Sequence, residues 1–255
     1  MDIFNIRIEF DHDVFRKTIE DCAKRNSKGY VCVVDANVLT MAHNNLSYRE
    51  VVKNSYVNTC DGSSLATMAN LIYGTTYRAL SGPDIFAEYV ERGDIKQLLL
   101  GNTEEKFNQI KEKLASEGKD ANHLVYMSLP FATIDEFDYE GISKAINEIK
   151  PSFIWVSLGA PKQENFMVRI LPYLNQGLLF GIGAAFNFYV GDIAQPKFHL
   201  GSFRFIWLYR IFREPKKQFK RLNQVLLTIP FIFREEKKKA KAKKLYNEAS
   251  FNNRS

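Results

Sequence analysis

Cysteine is scarce and unpatterned. Cys22, Cys32 and Cys60 are three in 255 residues, an odd number at spacings that suit neither a disulfide framework nor a zinc site. Reduced, buried thiols in a cytosolic protein are therefore expected. The four histidines, His12, His43, His123 and His199, are equally scattered and show no ligand spacing. Asp11-His12-Asp13 has an Asp-x-Asp pattern, but it precedes the first expected helix and reads as capping. No apolar run approaches the ~18–20 residues of a membrane span. The opening residues alternate and carry acids where a signal peptide would be apolar, so none is expected.

Nucleotide fingerprints are missing as well. The first strand-to-helix turn is Asp35-Ala36-Asn37, where a dinucleotide site would have G-x-G-x-x-G, and Gly181-Ile182-Gly183 has Phe186 in place of the third glycine. No phosphate-binding G-x-x-x-x-G-K-[ST] occurs, because Gly118-Lys119 is followed by Asp120. These gaps disfavour a nicotinamide-dependent oxidoreductase and a P-loop enzyme. Repeats and low-complexity linkers are absent too.

What is present is ordinary globular composition with one unusual end. Apolar residues make up 45% and charged residues 25% of the chain, enough for one large α/β domain with an appendage. The formal net charge is +6. Between Arg210 and Lys244 stand 13 lysines and arginines against three glutamates, about +10, which leaves the rest near −4. The basic character belongs to the C-terminal segment.

Strand-like and helix-like stretches alternate about seven times. Residues 4–10 alternate as a half-exposed strand, Asp13 can cap a helix over 14–25, and Tyr30–Val34 is a short buried strand. Ser47 and Glu50 have capping-box spacing before a strand at Tyr56–Cys60. Pro83 starts a helix ending near Gly93, Ile95–Leu100 is a buried strand, and Thr103 caps a charged helix reaching Gly118. His123–Met127, Tyr139–Lys150, Phe153–Leu158 and Leu178–Ile182 continue the alternation as strand, helix, strand and strand, with Pro161 placed to open a helix between the last two. The expectation is an α/β fold: a mostly parallel, Rossmann-like sheet with helices on both faces over residues 1–200. Residues 201–255 are expected to form a helical, basic, aromatic-rich appendage. Its mixture of Trp207, Tyr209 and Phe212 with arginines and lysines suits an anionic membrane surface, while a solvated face or a nucleic-acid contact is the plainer alternative.

Ligands of such sheets bind beyond the carboxyl ends of the strands. Candidate binding residues there are Asp35, Asn37, Gly101, Gly159, Lys162, Gly181 and Gly183, with Arg78, Gly82 and Asp84 ahead of a helix. The two glycine turns after Leu158 and Phe180 can present backbone N–H groups to an anion, or merely allow tight turns. Asp61 follows a buried strand and precedes Gly62, where partial desolvation raises a carboxylate's proton affinity; it can be a general base or a helix N-cap. Asp84 can simply sit at a helix N-terminus, Lys162 can neutralise a diphosphate or be solvated, and Gln163 can bind a sugar or face outward.

Taken in order, Asn37, Asp61-Gly62, Arg78 with Gly82 and Asp84, Gly101, Gly159-Ala160-Pro161-Lys162-Gln163-Glu164, Gly181-Ile182-Gly183-Ala184 with Phe186, Phe188 and Gly191, and Trp207–Arg210 with Glu214-Pro215 resemble the WecG/TagA/CpsF glycosyltransferases from about Phe4 to Arg221. That resemblance implies a metal-independent, inverting transfer of an N-acetylmannosamine-type sugar. The donor would be a UDP-sugar, and the acceptor a polyprenyl-diphosphate-linked sugar at the inner face of the cell membrane. It assigns the base to Asp61, a catalytic contribution to Gln163, and basic contacts from the appendage to Arg210, Lys217, Lys220 and Arg221. The chain departs from the common pattern at Asp35, where threonine is frequent, at Ser64, and at Lys217 in place of arginine, a point charge instead of a fork. A homo-oligomer is compatible with the resemblance, nucleic acid is not an expected partner, and a non-catalytic nucleotide- or polyanion-binding protein is the alternative.

Overall fold

The computed structural model describes residues 1–193, 199–200, 203–204 and 215–252, with side chains placed for 1–193 and 221–246. The chain opens with a two-stranded hairpin, β1 (Asp2–Ile3) and β2 (Ile6–Arg7), not with the single strand expected over 4–10. Phe4 and Asn5 both have positive φ, 55° and 61°, as a tight hairpin turn between two residues requires. The alternation was real nonetheless: Ile3, Ile6, Ile8 and Phe10 are buried. Beyond the hairpin, Glu9 N–H donates to the Asn58 carbonyl at 2.9 Å and lays the segment along the sheet edge.

Helix α1 (His12–Lys24) is capped by Asp11, whose Oδ1 accepts from the N–H groups of Asp13 and Val14 at 2.9 and 3.0 Å. The cap is thus two residues ahead of the expected Asp13. Strand β3 (Lys28–Val34) follows, then α2 (Ala36–Asn44), α3 (Leu46–Lys53) and β4 (Val57–Cys60). Asn45 caps α3 in place of the expected Ser47 box, with its Oδ1 accepting from Tyr48 N–H at 3.0 Å. The remaining core elements are α4 (Ser63–Tyr73), α5 (Gly82–Val90), β5 (Gln97–Leu100), α6 (Glu104–Ser116), β6 (Leu124–Met127), α7 (Tyr139–Ile149), β7 (Phe153–Val156), α8 (Lys162–Ile170), β8 (Gly177–Gly181) and α9 (Ala185–Tyr189).

Strands β3 to β8 form one six-stranded parallel sheet in the order β4-β3-β8-β7-β5-β6. From β3 the chain steps to the β4 edge, crosses to the far half for β5 and β6, and returns through β7 so that β8 pairs with β3. Helices α2, α3, α4, α7 and α8 cover one face, packing Val38, Leu39, Val52, Leu65, Phe166 and Ile170 with the sheet. Helices α1, α5, α6 and α9 cover the other. There Phe86, Phe153, Trp155, Phe180 and Phe186 interlock edge-to-face or tilted at centroid distances of 4.5–5.8 Å. Trp155 Nε1–H is satisfied by Gln97 Oε1 at 2.7 Å, so the buried indole has its partner. All three cysteines are buried free thiols.

A short antiparallel pair, β9 (His199–Leu200) with β10 (Phe203–Arg204), precedes the last helix, α10 (Pro215–Asn252). Among its described side chains, those facing the core recur at helical spacing: Arg221, Val225, Ile229, Ile232 and Glu236 are shielded or half-buried. Ile232 joins the core of the α2/α4 face, His43 meets Phe231 edge-on at 5.5 Å, and Tyr73 Oη–H donates to Glu236 Oε1 at 2.7 Å. Lys239 reaches Asn5 Oδ1 in the first hairpin at 2.7 Å. Among the described residues, no helix is long and apolar enough to cross a membrane.

Candidate active site

The strand ladder sets the site's width. Val34 pairs with Cys60, Gly181 with both Cys32 and Val156, and Val156 with Leu100. Asp61, Asp35, the Gly181–Gly183 turn, Ser157 to Gly159 and Gly101 therefore line up along the carboxyl edge of five adjacent strands. The sequence placed these candidates at strand ends, and the ladder brings them to one rim.

Asp61 and Asp35 stand at the ends of neighbouring strands. Asp35 is the N-cap of α2, its Oδ1 accepting from Val38 N–H at 2.7 Å. Asn37 is the second residue of that helix and half-buried. Asp61 N–H donates to the Val34 carbonyl at 2.8 Å, continuing the ladder by one residue. The N-cap of α4 falls on Gly62, at φ 88°, one residue past Asp61. A left-handed residue there suits glycine and turns the chain sharply after the acid. Beneath it, burial in the first place and the Asp61 charge in the second push the Cys60 thiol up to about 12.

The segment leading to α5 folds back over this edge, with Leu80 N–H on the Cys60 carbonyl at 2.9 Å. Arg78 is exposed on that segment, and its carbonyl oxygen lies 3.2 Å from His12 Nε2. Ser81 and Asp84 form a reciprocal cap: Ser81 Oγ–H donates to Asp84 Oδ2 at 2.6 Å and accepts from Asp84 N–H at 3.3 Å. The helix-terminus reading of Asp84 describes this arrangement. Gly82 begins α5 against the β8 turn; a Cβ there would stand 3.6 Å from the Ile182 carbonyl oxygen.

The two glycine turns are tied together by Gln163. This side chain is 5% exposed, and its Oε1 accepts from Gly159 N–H and Gly183 N–H, each at 3.0 Å. Those two amides are thus engaged within the protein, which leaves them closed to an anion and fits the tight-turn reading of these glycines. Gly181 permits the arrangement by close approach, since a Cβ on it would meet Gln163 Nε2 at 3.0 Å and Met167 Cε at 2.9 Å. Ser157 Oγ–H donates to the Gly183 carbonyl at 2.7 Å, and Asn102, next to Gly101, reaches Ser157 Oγ at 3.4 Å.

Helix α8 starts at Lys162, with Pro161 one position ahead as N-cap. The Lys162 ammonium donates to the Ala132 carbonyl at 2.5 Å and lies 5.0 Å from the Phe137 ring centroid, which directs it to the loop after β6. Arg221 of α10 comes to the same turn: its Nη2–H donates to the Ala160 carbonyl at 3.1 Å. Lys217 and Lys220 lie on α10 with side chains outside the described residues, and Arg210 lies outside them altogether.

Glu164, in the sequence only one residue of the Gly159–Glu164 motif, is fully buried and accepts from Gln163 Nε2–H at 2.9 Å. Burial above all, with the Asp35 charge as a smaller contribution, pushes its carboxyl up to about 7. The signal available in the sequence was helical: Gln163, Phe166, Met167 and Ile170 share a core face, and polar residues beside such a face call for partners.

The glycosyl transferase WecG/TagA/CpsF family model matches residues 1–244. The chain belongs to this family. As a WecG/TagA/CpsF member it is a glycosyltransferase, and three similar relatives carry one name, N-acetylglucosaminyldiphosphoundecaprenol N-acetyl-beta-D-mannosaminyltransferase. The Staphylococcus aureus (strain MW2) protein is 22% identical over 249 residues, covering 93% of both chains. That of S. aureus (strain NCTC 8325 / PS 47) has the same identity and coverage. The Bacillus subtilis (strain 168) protein is 21% identical over 215 residues, 82% of this chain and 80% of its own. Among the described residues, no group of three or more His, Cys, Asp or Glu is arranged to hold a metal ion.

Proposed function

We propose that this glycosyltransferase moves an N-acetylmannosamine-type sugar, with inversion, from a UDP-sugar to a polyprenyl-diphosphate-linked N-acetylglucosamine in cell-envelope polymer synthesis. The names of its relatives supply the acceptor and the sugar. The observation that carries the reading is the row of Asp61, Asp35 and the Gln163-bound glycine turns along one sheet edge, with Arg221 of the appendage meeting it at Ala160.

Asp61 is proposed as the base. Its carboxylate takes the proton of the acceptor hydroxyl as that oxygen bonds to the anomeric carbon, and the bond to UDP breaks with both electrons leaving on the diphosphate. Asp35 is the weaker candidate, because a carboxylate accepting an N–H at a helix N-terminus is stabilised in its charged form. Charge on departing UDP is assigned to Arg221, Arg210, Lys217 and Lys220, and to the N-terminus of α4, whose cap residue is Gly62. Lys162 and Gln163 shape the rim through the contacts described above. The reaction is proposed to need no metal, so excess EDTA should leave the rate unchanged.

We further assign residues from 201 onward to a membrane-facing appendage, holding the enzyme at the inner, cytoplasmic face. The outward side of α10 supports this: Leu226 and Leu227 are exposed, followed by Arg234, Lys237, Lys238 and Lys241. The deciding experiment gives purified enzyme labelled UDP-N-acetylmannosamine and a short-chain polyprenyl-diphosphate N-acetylglucosamine. Transfer is expected, with Asp61→Asn lower by ~10²–10⁴ at an unchanged melting temperature. Full activity in Asp61→Asn would refute the base. Salt-sensitive DNA binding without any transfer would favour the polyanion-binding alternative.

A further inference from the structure

One buried carboxyl next to the glycine turns has no task in the reaction proposed above. Glu164 is fully shielded, yet it is polar and lies directly beside Gln163 at the start of α8. Its Oε1 accepts from Gln163 Nε2–H at 2.9 Å. Its Oε2 and the Tyr48 hydroxyl of α3 are both buried and interact with each other without completing a hydrogen bond of good geometry.

A glutamine amide has two unlike ends, and here the difference matters. Gln163 Oε1 receives two N–H groups, from Gly159 after β7 and from Gly183 after β8. Turned over, the amide would present its NH₂ to those same N–H groups, donor against donor, and neither turn could stay in contact with it. The acceptor that fixes the Nε2 end is the Glu164 carboxyl. Gly181 leaves room for the amide in this place but cannot choose its facing.

We propose that Glu164 is a positioning residue for sugar transfer: it sets the facing of the Gln163 amide and, through it, the spacing of the Gly159 and Gly183 turns. The kinetic consequence rests on the glycosyl-transfer reading, whereas the clamp itself does not. The clamped turn carries Ala160, whose carbonyl receives Arg221, and the other turn abuts Gly82 at the head of α5. Loss of the clamp therefore displaces the appendage contact and the α5 start relative to Asp61. Displacements of that size, about 1 Å, cost ~10²-fold in rate.

The test uses the full chain with ¹⁵N-glycine labelling, which leaves 14 glycines to assign. Glu164→Met offers Gln163 no acceptor of comparable strength. Glu164→Gln offers one only when its own amide happens to face correctly. In Glu164→Met the Gly159 and Gly183 amide protons should exchange with solvent at least ~10-fold faster, while other glycine amides stay as in wild type. The same variant should lose ~10–100-fold in kcat with the acceptor KM within about threefold. Glu164→Gln should be intermediate in both readouts, a graded response that simple loss of folding would not give.

Unchanged exchange at both amides would overturn the proposal whatever the activity. Freed amides with a wild-type kcat would overturn the positioning role. A wild-type enzyme that transfers no sugar, with both amides freed in the variant, would instead refute the assigned reaction and leave the clamp standing. If Glu164→Met does not fold, Glu164→Gln carries both readouts alone.

Discussion

Glu164 makes a thermodynamic statement as well as a geometric one. Its carboxyl is pushed up from an ordinary 4.5 to about 7 because burial penalises the charged form. Between those two values the folded chain holds a proton that the unfolded chain releases. The associated stability is therefore fully present below about pH 4.5 and is lost as pH rises through about 7. The swing is on the order of 3 kcal/mol. Glu164→Gln has nothing to titrate there, so its melting temperature relative to wild type should rise between pH 4.5 and pH 8, by roughly 6–12 °C for a domain of this size. A difference that stays flat with pH would show that Glu164 does not titrate in this window. Gly181→Ala acts on the same spot from the other side: its Cβ would displace Gln163, at a cost of ~1–3 kcal/mol by urea unfolding, with the Gly159 and Gly183 amides loosened together. At this scale the sequence showed which residues reach the rim, since strand ends and small-residue turns are local features. It did not show that the Gln163 oxygen is already occupied. That depends on two turns from different strands converging on one side chain, and no local pattern encodes it.

The elements themselves were largely legible. Apolar runs ended by glycine or a capping residue located all six strands of the parallel sheet to within a few residues, and Thr103 does cap its helix through Oγ, accepting from Lys106 N–H at 3.2 Å. Helix α2 was missed because Asp35-Ala36-Asn37 looks like a turn, when Asp35 is in fact the cap of a helix separated from the next only by the extended residue Asn45. The first hairpin was missed because two successive left-handed residues, one of them Phe4, are rare and carry no sequence warning. Helix α10 is the element most open to a test. Ile232 is its fully inward apolar anchor, and Tyr73 gives Glu236 a hydrogen bond in a shielded place. Ile232→Ala should cost ~2–5 kcal/mol if the helix and the body unfold as one unit. If α10 instead separates locally, the variant should lose α10 to limited proteolysis while the remaining sheet keeps its melting temperature. Tyr73→Phe, which leaves the Glu236 carboxylate buried without that donor, should weaken docking by ~1–3 kcal/mol. Protease resistance of α10 equal to wild type in both variants would show that these contacts do not hold it.

For the whole molecule, the parallel sheet between two helical layers followed from the alternation of strand and helix, but strand order did not. Order depends on which face each connection crosses, and that is settled by packing between Phe86, Trp155 and Phe180 on one side and Phe166, Leu65 and Ile232 on the other. Charge separation between body and tail was legible at once, and the structure sharpens it into a surface. One side of α10 is committed to the body, with Phe231 against His43 at its margin, so the opposite side is what a membrane can meet: Leu226 and Leu227 first, then Arg234, Lys237, Lys238 and Lys241. The apolar group can enter the head-group boundary while the lysines lie over anionic lipid, at ~1 kcal/mol per cation near the surface. Leu226 and Leu227 are 63% and 72% exposed, so replacing both with aspartate should leave the body folded. Full burial of two such side chains contributes ~1.5–3 kcal/mol each. Partial insertion, together with the added repulsion from anionic lipid, should then weaken binding to phosphatidylglycerol vesicles by ~10–100-fold. Transfer to a polyprenyl-linked acceptor embedded in those vesicles should fall in parallel. Transfer to a water-soluble short-chain acceptor should hold within about twofold, because the substituted side chains face away from Arg221 and the rim. Equal loss on both acceptors would place this face of α10 in the chemistry, and undiminished vesicle binding would remove it from the membrane.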